Sequence, residues 1–169
     1  MHKVHRYHDI CAGHRVVGHE GKCRHLHGHN YRVHFTCVMD TTYQSKELGR
    51  LNKLDKIGRV IDFSVVKEKL CMWLEEEWDH KFLYWEEDSL IRTLSLFMND
   101  PDREIPWGNK DGTHFQESLV RLPFNPTAEN LAQYLVDIIG PQQLAGTGVK
   151  LVEVLIEETA KCHASYGVL

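Results

Sequence analysis

The sequence lacks three features, each of which would have indicated a particular class of protein. No apolar run approaches the length of a membrane span, the five cysteines are odd in number with no CxxC pair, and net charge is −4 at pH 7. These absences argue against a membrane protein, a disulfide-stabilised secreted scaffold and a nucleic-acid binder. The first residues do not form a signal-peptide pattern. We therefore expect a cytoplasmic protein in a reducing compartment that binds neither membrane nor nucleic acid.

The chain also shows no internal repeat, low-complexity run or linker. Its 169 residues and 42% hydrophobic content suit a single globular domain with a proper core. We expect one domain that covers residues 1–169.

Histidine is the residue type in excess, and it is concentrated at the start of the chain. Nine of the twelve histidines fall within residues 1–34. The same stretch has six Lys or Arg residues against Asp9 and Glu20, although the whole chain is acidic. A basic region around a metal site would suit an anionic substrate, for example a phosphorylated one.

The segment Cys23-Arg24-His25-Leu26-His27-Gly28-His29-Asn30-Tyr31 carries the strongest signal. His27 and His29 are two residues apart, so on an extended strand both imidazoles leave the same face. Two converging imidazoles favour a first-row metal, zinc above all, and need a third ligand. Two interpretations follow: a structural zinc site that includes Cys23, or a catalytic three-histidine site with a free thiol beside it.

The flanking pattern predicts two antiparallel strands around this segment. Residues 2–11 are expected to form a first strand that ends near Ala12-Gly13-His14, and residues 29–39 alternate as a half-buried strand. If the two strands form a hairpin, His14 lies beside His27 and His29.

Two helices and two more strands are predicted downstream. The first helix follows a cap at Asp62 or Ser64, and the second begins at an N-cap, Thr127, and ends at Gly140-Pro141. Leu131, Leu135 and Ile138 form the expected apolar stripe of the second helix. Residues 149–158 and 161–169 read as the last two strands. The region of about 86–122 between the helices is an insert, with a possible strand at 118–122 and strong turn signals at 99–102 and 108–112. The order is ββ-α-α-ββ, an α+β domain with the helices packed on one face of an antiparallel sheet.

The motifs together resemble the 6-pyruvoyltetrahydropterin synthase family over nearly the whole chain. They are Ala12-Gly13-His14, Cys23-x3-His27-Gly28-His29-Asn30-Tyr31, Ile61-Asp62-Phe63, Asp79-His80, Pro126-Thr127-Ala128-Glu129-Asn130 and Glu158-Thr159. The three-residue spacing from Cys23 to His27 is most similar to the 6-carboxytetrahydropterin synthase branch of queuosine and deazapurine biosynthesis. The resemblance implies the T-fold, a four-stranded antiparallel sheet with two helices on one face. It also implies a homo-oligomer, a hexamer built as a dimer of trimers, with active sites between subunits.

The resemblance also implies a set of site residues. His14, His27 and His29 would bind Zn²⁺, and Cys23 would be the general base, with Asp79 and His80 as its proton relay, in some members from a neighbouring subunit. Glu158 would anchor the pterin ring, and Thr127 and Glu129 would contact it, although Thr127 is equally explained as a helix cap.

The implied reaction is a zinc-dependent lyase reaction on 7,8-dihydroneopterin triphosphate. It would yield 6-carboxy-5,6,7,8-tetrahydropterin, acetaldehyde and triphosphate. One alternative stops after triphosphate elimination, at 6-pyruvoyltetrahydropterin. A second alternative is a zinc-binding protein without catalysis, which would explain the histidines but not Asp79, His80 and Glu158.

Overall fold

The computed structural model describes residues 1–42, 54–100 and 113–168. Six strands form one sheet, in the order β4-β3-β1-β2-β5-β6. The strands are β1 (Val4–His14), β2 (His27–Met39), β3 (Phe82–Trp85), β4 (Leu119–Leu122), β5 (Val149–Thr159) and β6 (Cys162–Gly167).

The predicted hairpin of β1 and β2 is confirmed and forms the centre of the sheet. The two strands are antiparallel, with Ala12 opposite His29 and His14 opposite His27. Alternate residues of β1 are buried and exposed, so that Ile10 and His14 face the core. This alternation is the ordinary two-residue period of a strand that is covered on one face only.

The first helical region covers that face. It runs through α1 (Phe63–Val66), a π-helical turn (Lys67–Cys71) and α2 (Met72–Glu77). Asp62 is its N-cap, because the Asp62 side chain accepts a hydrogen bond from the Ser64 N–H at 2.8 Å. Val66, Leu70 and Leu74 are buried in the core that this region shares with the sheet. None of the helices in the described ranges has the length and apolar character needed to cross a bilayer.

The second helical region begins as predicted but ends later. Thr127 caps α5 (Ala128–Tyr134), which continues through a π-helical turn (Leu135–Ile139) into α6 (Gly140–Gln143). The prediction that Gly140-Pro141 ends the helix is therefore wrong. Ile138 was also misplaced in the apolar stripe: it is 42% exposed, whereas Ile139 is 4% exposed. A π-type turn holds an extra residue, so the next position rotates toward the core.

Two further strands, β3 just before the insert and β4 at its end, make the sheet larger than the four antiparallel strands that were expected. β3 pairs with β1 in parallel, at Gly13–Phe82 and His14–Leu83, and β4 pairs in parallel with β3. β4 confirms the possible strand at 118–122. The remaining described parts of the insert include α3 (Ser89–Met98) and α4 (Thr113–Glu117). The predicted turn at 108–112, and half of the one at 99–102, lie outside the described residues.

Candidate metal-dependent active site

Three histidines converge at the end of the central hairpin. His14 ends β1, and His27 and His29 begin β2 directly opposite, so their side chains leave the same face. The three residues can each offer one ligand atom, and these atoms all lie within 4.8 Å of one another. The pairs of ring centroids are 4.5 to 5.1 Å apart. This is a group of side chains that could hold one metal ion.

Hydrogen bonds to backbone carbonyls orient two of the rings. The Nδ1–H of His14 donates to the Pro126 carbonyl at 2.7 Å, and the Nδ1–H of His27 donates to the His25 carbonyl at 2.8 Å. Because Nδ1 carries the proton in each of these two rings, the Nε2 atom is left free to coordinate a metal. The Nε2 atoms of His14 and His29 are buried and have no hydrogen-bond partner among the described residues. Because buried polar atoms normally have partners, these orphaned nitrogens fit the coordination of a metal.

Burial keeps His14 in the form that binds metals. It lowers the pKa of His14 to about 4, despite the hydrogen bond to Pro126, which opposes the shift. Burial also lowers the pKa of His29, against the opposite pull of the Glu158 carboxylate. Neutral imidazole is the form that ligates a metal. His14 and His29 can therefore bind a metal without first losing a proton.

On one side His14 borders a cleft of about 330 Å³. We call it the metal cleft, and define it by its lining residues His14, Cys23, Thr127, Glu129 and Glu158. The Glu158 Oε2 lies 4.0 Å from the His29 Nε2. The Thr127 hydroxyl accepts the Asn130 N–H at 3.3 Å, which is its capping role. The metal cleft thus brings together five of the residues expected to form a site.

Cys23 stands beside the histidines rather than among them. It lies in a short 3₁₀ turn (Lys22–Arg24) and is partly exposed. Among the described residues, the group with converging ligand atoms contains the three histidines and does not include Cys23. This geometry favours three protein ligands with an open position, the pattern of catalytic zinc sites, over a closed structural site.

His80 lines a different, larger cleft of about 940 Å³. We call it the dyad cleft, and define it by Cys11, His27, His29, Asn30, His80 and Glu158. The Nδ1–H of His80 donates to the Asp79 Oδ2 at 2.6 Å. His80 has a positive φ of 58°, and its side chain is 82% exposed.

Asp79 is fixed to the edge of β1. Its Oδ1 accepts the Cys11 N–H at 2.7 Å, and the His80 N–H donates to the Cys11 carbonyl at 2.7 Å. Partial burial pushes the pKa of Asp79 up, but the hydrogen bonds and the charge of His80 outweigh it, so the pKa lies below its ordinary value. A carboxylate that stays ionised can orient the imidazole and stabilise its charged form.

Within one chain, the structure does not bring all predicted site residues into one place. Cys23 lines the metal cleft, His80 lines the dyad cleft, and Glu158 borders both. Several contributors to the site were not predicted from the sequence. The Pro126 carbonyl that orients His14 has no sequence signal, because it acts through its backbone. His19, Cys162 and His163 line the metal cleft as well; their only signal was nearness in sequence to motif residues.

A family model described as 6-pyruvoyl tetrahydropterin synthase matches residues 3–168. The chain belongs to the 6-pyruvoyl tetrahydropterin synthase family. A protein of Rickettsia bellii named 6-carboxy-5,6,7,8-tetrahydropterin synthase is 31% identical over 151 residues, which are 89% of each chain. A protein of the same name from Haemophilus influenzae is 27% identical over 157 residues, 90% of this chain and 93% of the relative.

Solved structures agree with this family assignment. An uncharacterised protein of Wolinella succinogenes superposes with a TM-score of 0.71 at 26% identity, over 99% of this chain and 98% of that one. The 6-pyruvoyl tetrahydropterin synthase of Caenorhabditis elegans has a TM-score of 0.56 at 20% identity, over 99% and 95% of the two chains, and supports the fold alone. The predicted α+β T-fold and the prediction of a pterin lyase of this family are confirmed. The matches favour an enzyme over a zinc-binding protein without catalysis.

Proposed function

We propose that the protein is a zinc-dependent 6-carboxy-5,6,7,8-tetrahydropterin synthase. It converts 7,8-dihydroneopterin triphosphate to 6-carboxy-5,6,7,8-tetrahydropterin, with release of acetaldehyde and triphosphate. The observation that carries the proposal is the convergence of His14, His27 and His29 on one point, with Cys23 and Glu158 lining the cleft beside His14. Relatives that carry this enzyme name, at 31% and 30% identity over most of the chain, support the choice of reaction.

His14, His27 and His29 would hold the zinc ion through their Nε2 atoms. When bound, zinc supplies Lewis acidity toward an oxygen of the substrate side chain, which makes the neighbouring carbon-bound protons easier to remove. The choice of zinc rests on the all-histidine donor set and on the room left for a substrate oxygen.

Cys23 would remove and return protons on the substrate side chain. It lies in the metal cleft near the three histidines, with Lys22 and Arg24 on either side in sequence. The thiolate would be the form of Cys23 that accepts the proton. The pterin side chain must therefore enter the metal cleft with its reacting carbons toward Cys23.

Asp79 and His80 would exchange a proton with Cys23 or with the substrate. The Nδ1–H of His80 is held by the Asp79 carboxylate, so the Nε2 of His80 is the atom free to accept a proton. Because Cys23 and His80 border different clefts of one chain, we propose that the complete site uses Cys23 of one subunit and His80 of a neighbour in a homo-oligomer. A trimer, paired into a hexamer, provides such contacts by symmetry.

Glu158 would select the pterin ring. A carboxylate can accept two parallel hydrogen bonds from a ring N–H and the adjacent exocyclic amine. Glu158 borders both clefts, 4.0 Å from the metal ligand His29. A ring held there would place its side chain beside the histidines. Thr127 and Glu129 would form the neighbouring wall.

Product analysis of the zinc-loaded protein tests this function. We would incubate it with 7,8-dihydroneopterin triphosphate and identify the products by mass spectrometry. We expect 6-carboxytetrahydropterin together with acetaldehyde and triphosphate. If 6-pyruvoyltetrahydropterin accumulates without acetaldehyde, the protein is a synthase of the pyruvoyl type instead. Absence of turnover by the fully zinc-loaded protein would overturn the proposed substrate.

A further inference from the structure

A buried ion pair joins the insert to the strand that carries the first metal ligand. The Arg15 Nε lies 2.8 Å from the Asp88 Oδ2, and the side chains are 20% and 1% exposed. Arg15 directly follows His14, whereas Asp88 stands near the beginning of the insert. The pair therefore connects two parts of the chain that are 73 residues apart in sequence.

The contact between the Arg15 Nε and the Asp88 Oδ2 is an ionic one, and no other described group takes its place at either atom. Both atoms are buried, and neither makes a hydrogen bond of good geometry to any described residue. Loss of the cation opposite the Asp88 carboxylate is unfavourable, because that side chain is only 1% exposed and water cannot replace the lost partner. The positions of Arg15 and Asp88 are thus tightly dependent on each other.

Asp88 is itself fixed by the backbone of the insert. Its Oδ1 accepts hydrogen bonds from the Leu90 N–H at 3.0 Å and the Ile91 N–H at 3.4 Å, which caps α3. Its own N–H donates to the Trp85 carbonyl at 2.8 Å. Asp88 is therefore anchored to β3 through its backbone and to α3 through its carboxylate, so it is not free to follow Arg15.

The neighbouring strand β3 holds the same end of β1. The Gly13 N–H donates to the Lys81 carbonyl at 2.9 Å, and His14 is paired with Leu83, which is fully buried. Phe82 packs so closely on Gly13 that an added Cβ would lie 2.6 Å from its ring. The backbone on both sides of His14 is thus clamped from the edge of the sheet that the insert extends.

We propose that Asp88, acting through Arg15, is a positioning residue for the metal ligand His14. The Pro126 carbonyl fixes the rotation of the His14 ring, and the Asp88–Arg15 pair fixes the backbone from which that ring projects. The insert is then part of the metal site rather than a surface addition. This inference rests on the metal site of the proposed function, but it does not depend on which pterin is turned over.

A simpler role for Asp88 is to cap α3, and Asp88→Asn separates the two roles. Asparagine caps a helix about as well as aspartate, so the substitution keeps the acceptor for Leu90 and Ile91. It removes the negative charge that faces Arg15. If Asp88→Asn changes the metal site while the cap of α3 is intact, the change comes from loss of the ion pair.

The experiment measures Co²⁺, a spectroscopic substitute for zinc, in the full-length apoprotein. Affinity is obtained by competition with a chelator, and ligand geometry from the visible absorption of the bound ion. We expect Asp88→Asn to weaken Co²⁺ binding about 10- to 100-fold, the usual effect of changing a group that orients a ligand, and to alter the absorption bands. The matched control is Glu86→Gln, which breaks the exposed Glu86–Arg121 pair of the same insert, 3.0 Å apart, and should leave both readouts unchanged.

Arg15→Lys keeps the test decisive if Asp88→Asn does not fold. Lysine preserves the charge but not the planar guanidinium, so we expect a smaller loss of affinity with the same direction of spectral change. The proposal would be overturned if the variant that folds, Asp88→Asn or Arg15→Lys, has the same Co²⁺ affinity and absorption bands as Glu86→Gln. This holds even if its melting temperature is lower. Weaker Co²⁺ binding in a protein whose wild type does not turn over the pterin would support the positioning role while removing the proposed function. Normal turnover by the wild type with unchanged Co²⁺ binding in the variants would support the proposed function and remove the positioning role.

Discussion

The two clefts place histidines of similar proposed importance in opposite environments. In the metal cleft, His14 is 1% exposed, and burial lowers its pKa to about 4. In the dyad cleft, the His80 side chain is 82% exposed and is held by one carboxylate. The metal cleft is thus built and oriented within one chain, whereas the dyad cleft leaves its principal side chain largely in solvent.

This difference indicates what each group needs before it can work. A metal ligand must be neutral and fixed, and burial with backbone hydrogen bonds supplies both. A proton-relay histidine gains its efficiency only where water is excluded and its partner is within hydrogen-bond reach. The exposure of His80 therefore supports the proposal that a second subunit completes the dyad cleft.

The largest effect is expected from breaking the three-histidine metal site itself. His27→Ala removes one of the three proposed ligands. Changing a group that orients a ligand lowers metal affinity about 10- to 100-fold, so loss of a ligand itself should lower the affinity further. Metal content measured after dialysis against a weak chelator checks this outcome. His25→Ala is the control, because His25 orients His27 only through its backbone carbonyl, and it should retain the metal. Equal metal content in the two variants would exclude His27 as a ligand.

The next largest effect is expected at the proposed base. Cys23→Ser keeps the size of the side chain but replaces the thiol by a much weaker acid, so kcat should fall by about 10²- to 10⁴-fold. Metal content should stay at the wild-type value, since Cys23 is not among the converging ligand atoms. Cys162→Ser is the matched control, a second cysteine of the same cleft, with a much smaller expected loss. Retained turnover in Cys23→Ser would assign the base elsewhere.

Subunit mixing tests whether the two clefts act together across an interface. Cys23→Ser and His80→Ala should each be inactive alone. Co-assembled at equal amounts, they should recover roughly a quarter of wild-type turnover, because random assortment joins an intact Cys23 to an intact His80 at that fraction of interfaces. Mixed oligomers that remain inactive, shown by mass spectrometry to contain both chains, would place both residues in the site of a single subunit.

The sequence predicted the hairpin and the grouping of the three histidines because both depend on local patterns. Alternation fixes which face of a strand a residue uses, and so the two-residue spacing of His27 and His29 already implied a shared face. The cap at Thr127 likewise depends on a few neighbouring residues. Cys23, Asp79 and Glu158 could be assigned only through the family resemblance, since their spacing carries no geometric information alone.

Features that depend on distant contacts were not predictable in the same way. The parallel pairing of β3 with β1 joins Phe82 to Gly13 across 69 positions of the printed numbering, and short parallel strands have no distinctive pattern. The π-helical turn at Leu135–Ile139 moved Ile138 out of the core, whereas the expected stripe assumed regular α-helical spacing. The Arg15–Asp88 pair is invisible in sequence, because either residue alone suggests a solvated surface charge.

The smallest expected effect concerns the stability contributed by the dyad. The folded protein lowers the pKa of Asp79, so its carboxylate stabilises the fold above the ordinary aspartate pKa of about 3.9, and that contribution disappears as pH falls through the lowered value. Asp79→Asn should therefore cost about 1 kcal/mol at pH 7, or roughly 2–4 °C in Tm, and the difference from wild type should shrink below about pH 4. Melting curves of the apoprotein from neutral to acidic pH measure this, with Glu77→Gln, an exposed residue at the end of α2, as control. A difference in Tm that stays constant across this range would mean that Asp79 acts through the shape of its hydrogen bonds to Cys11 rather than through its charge.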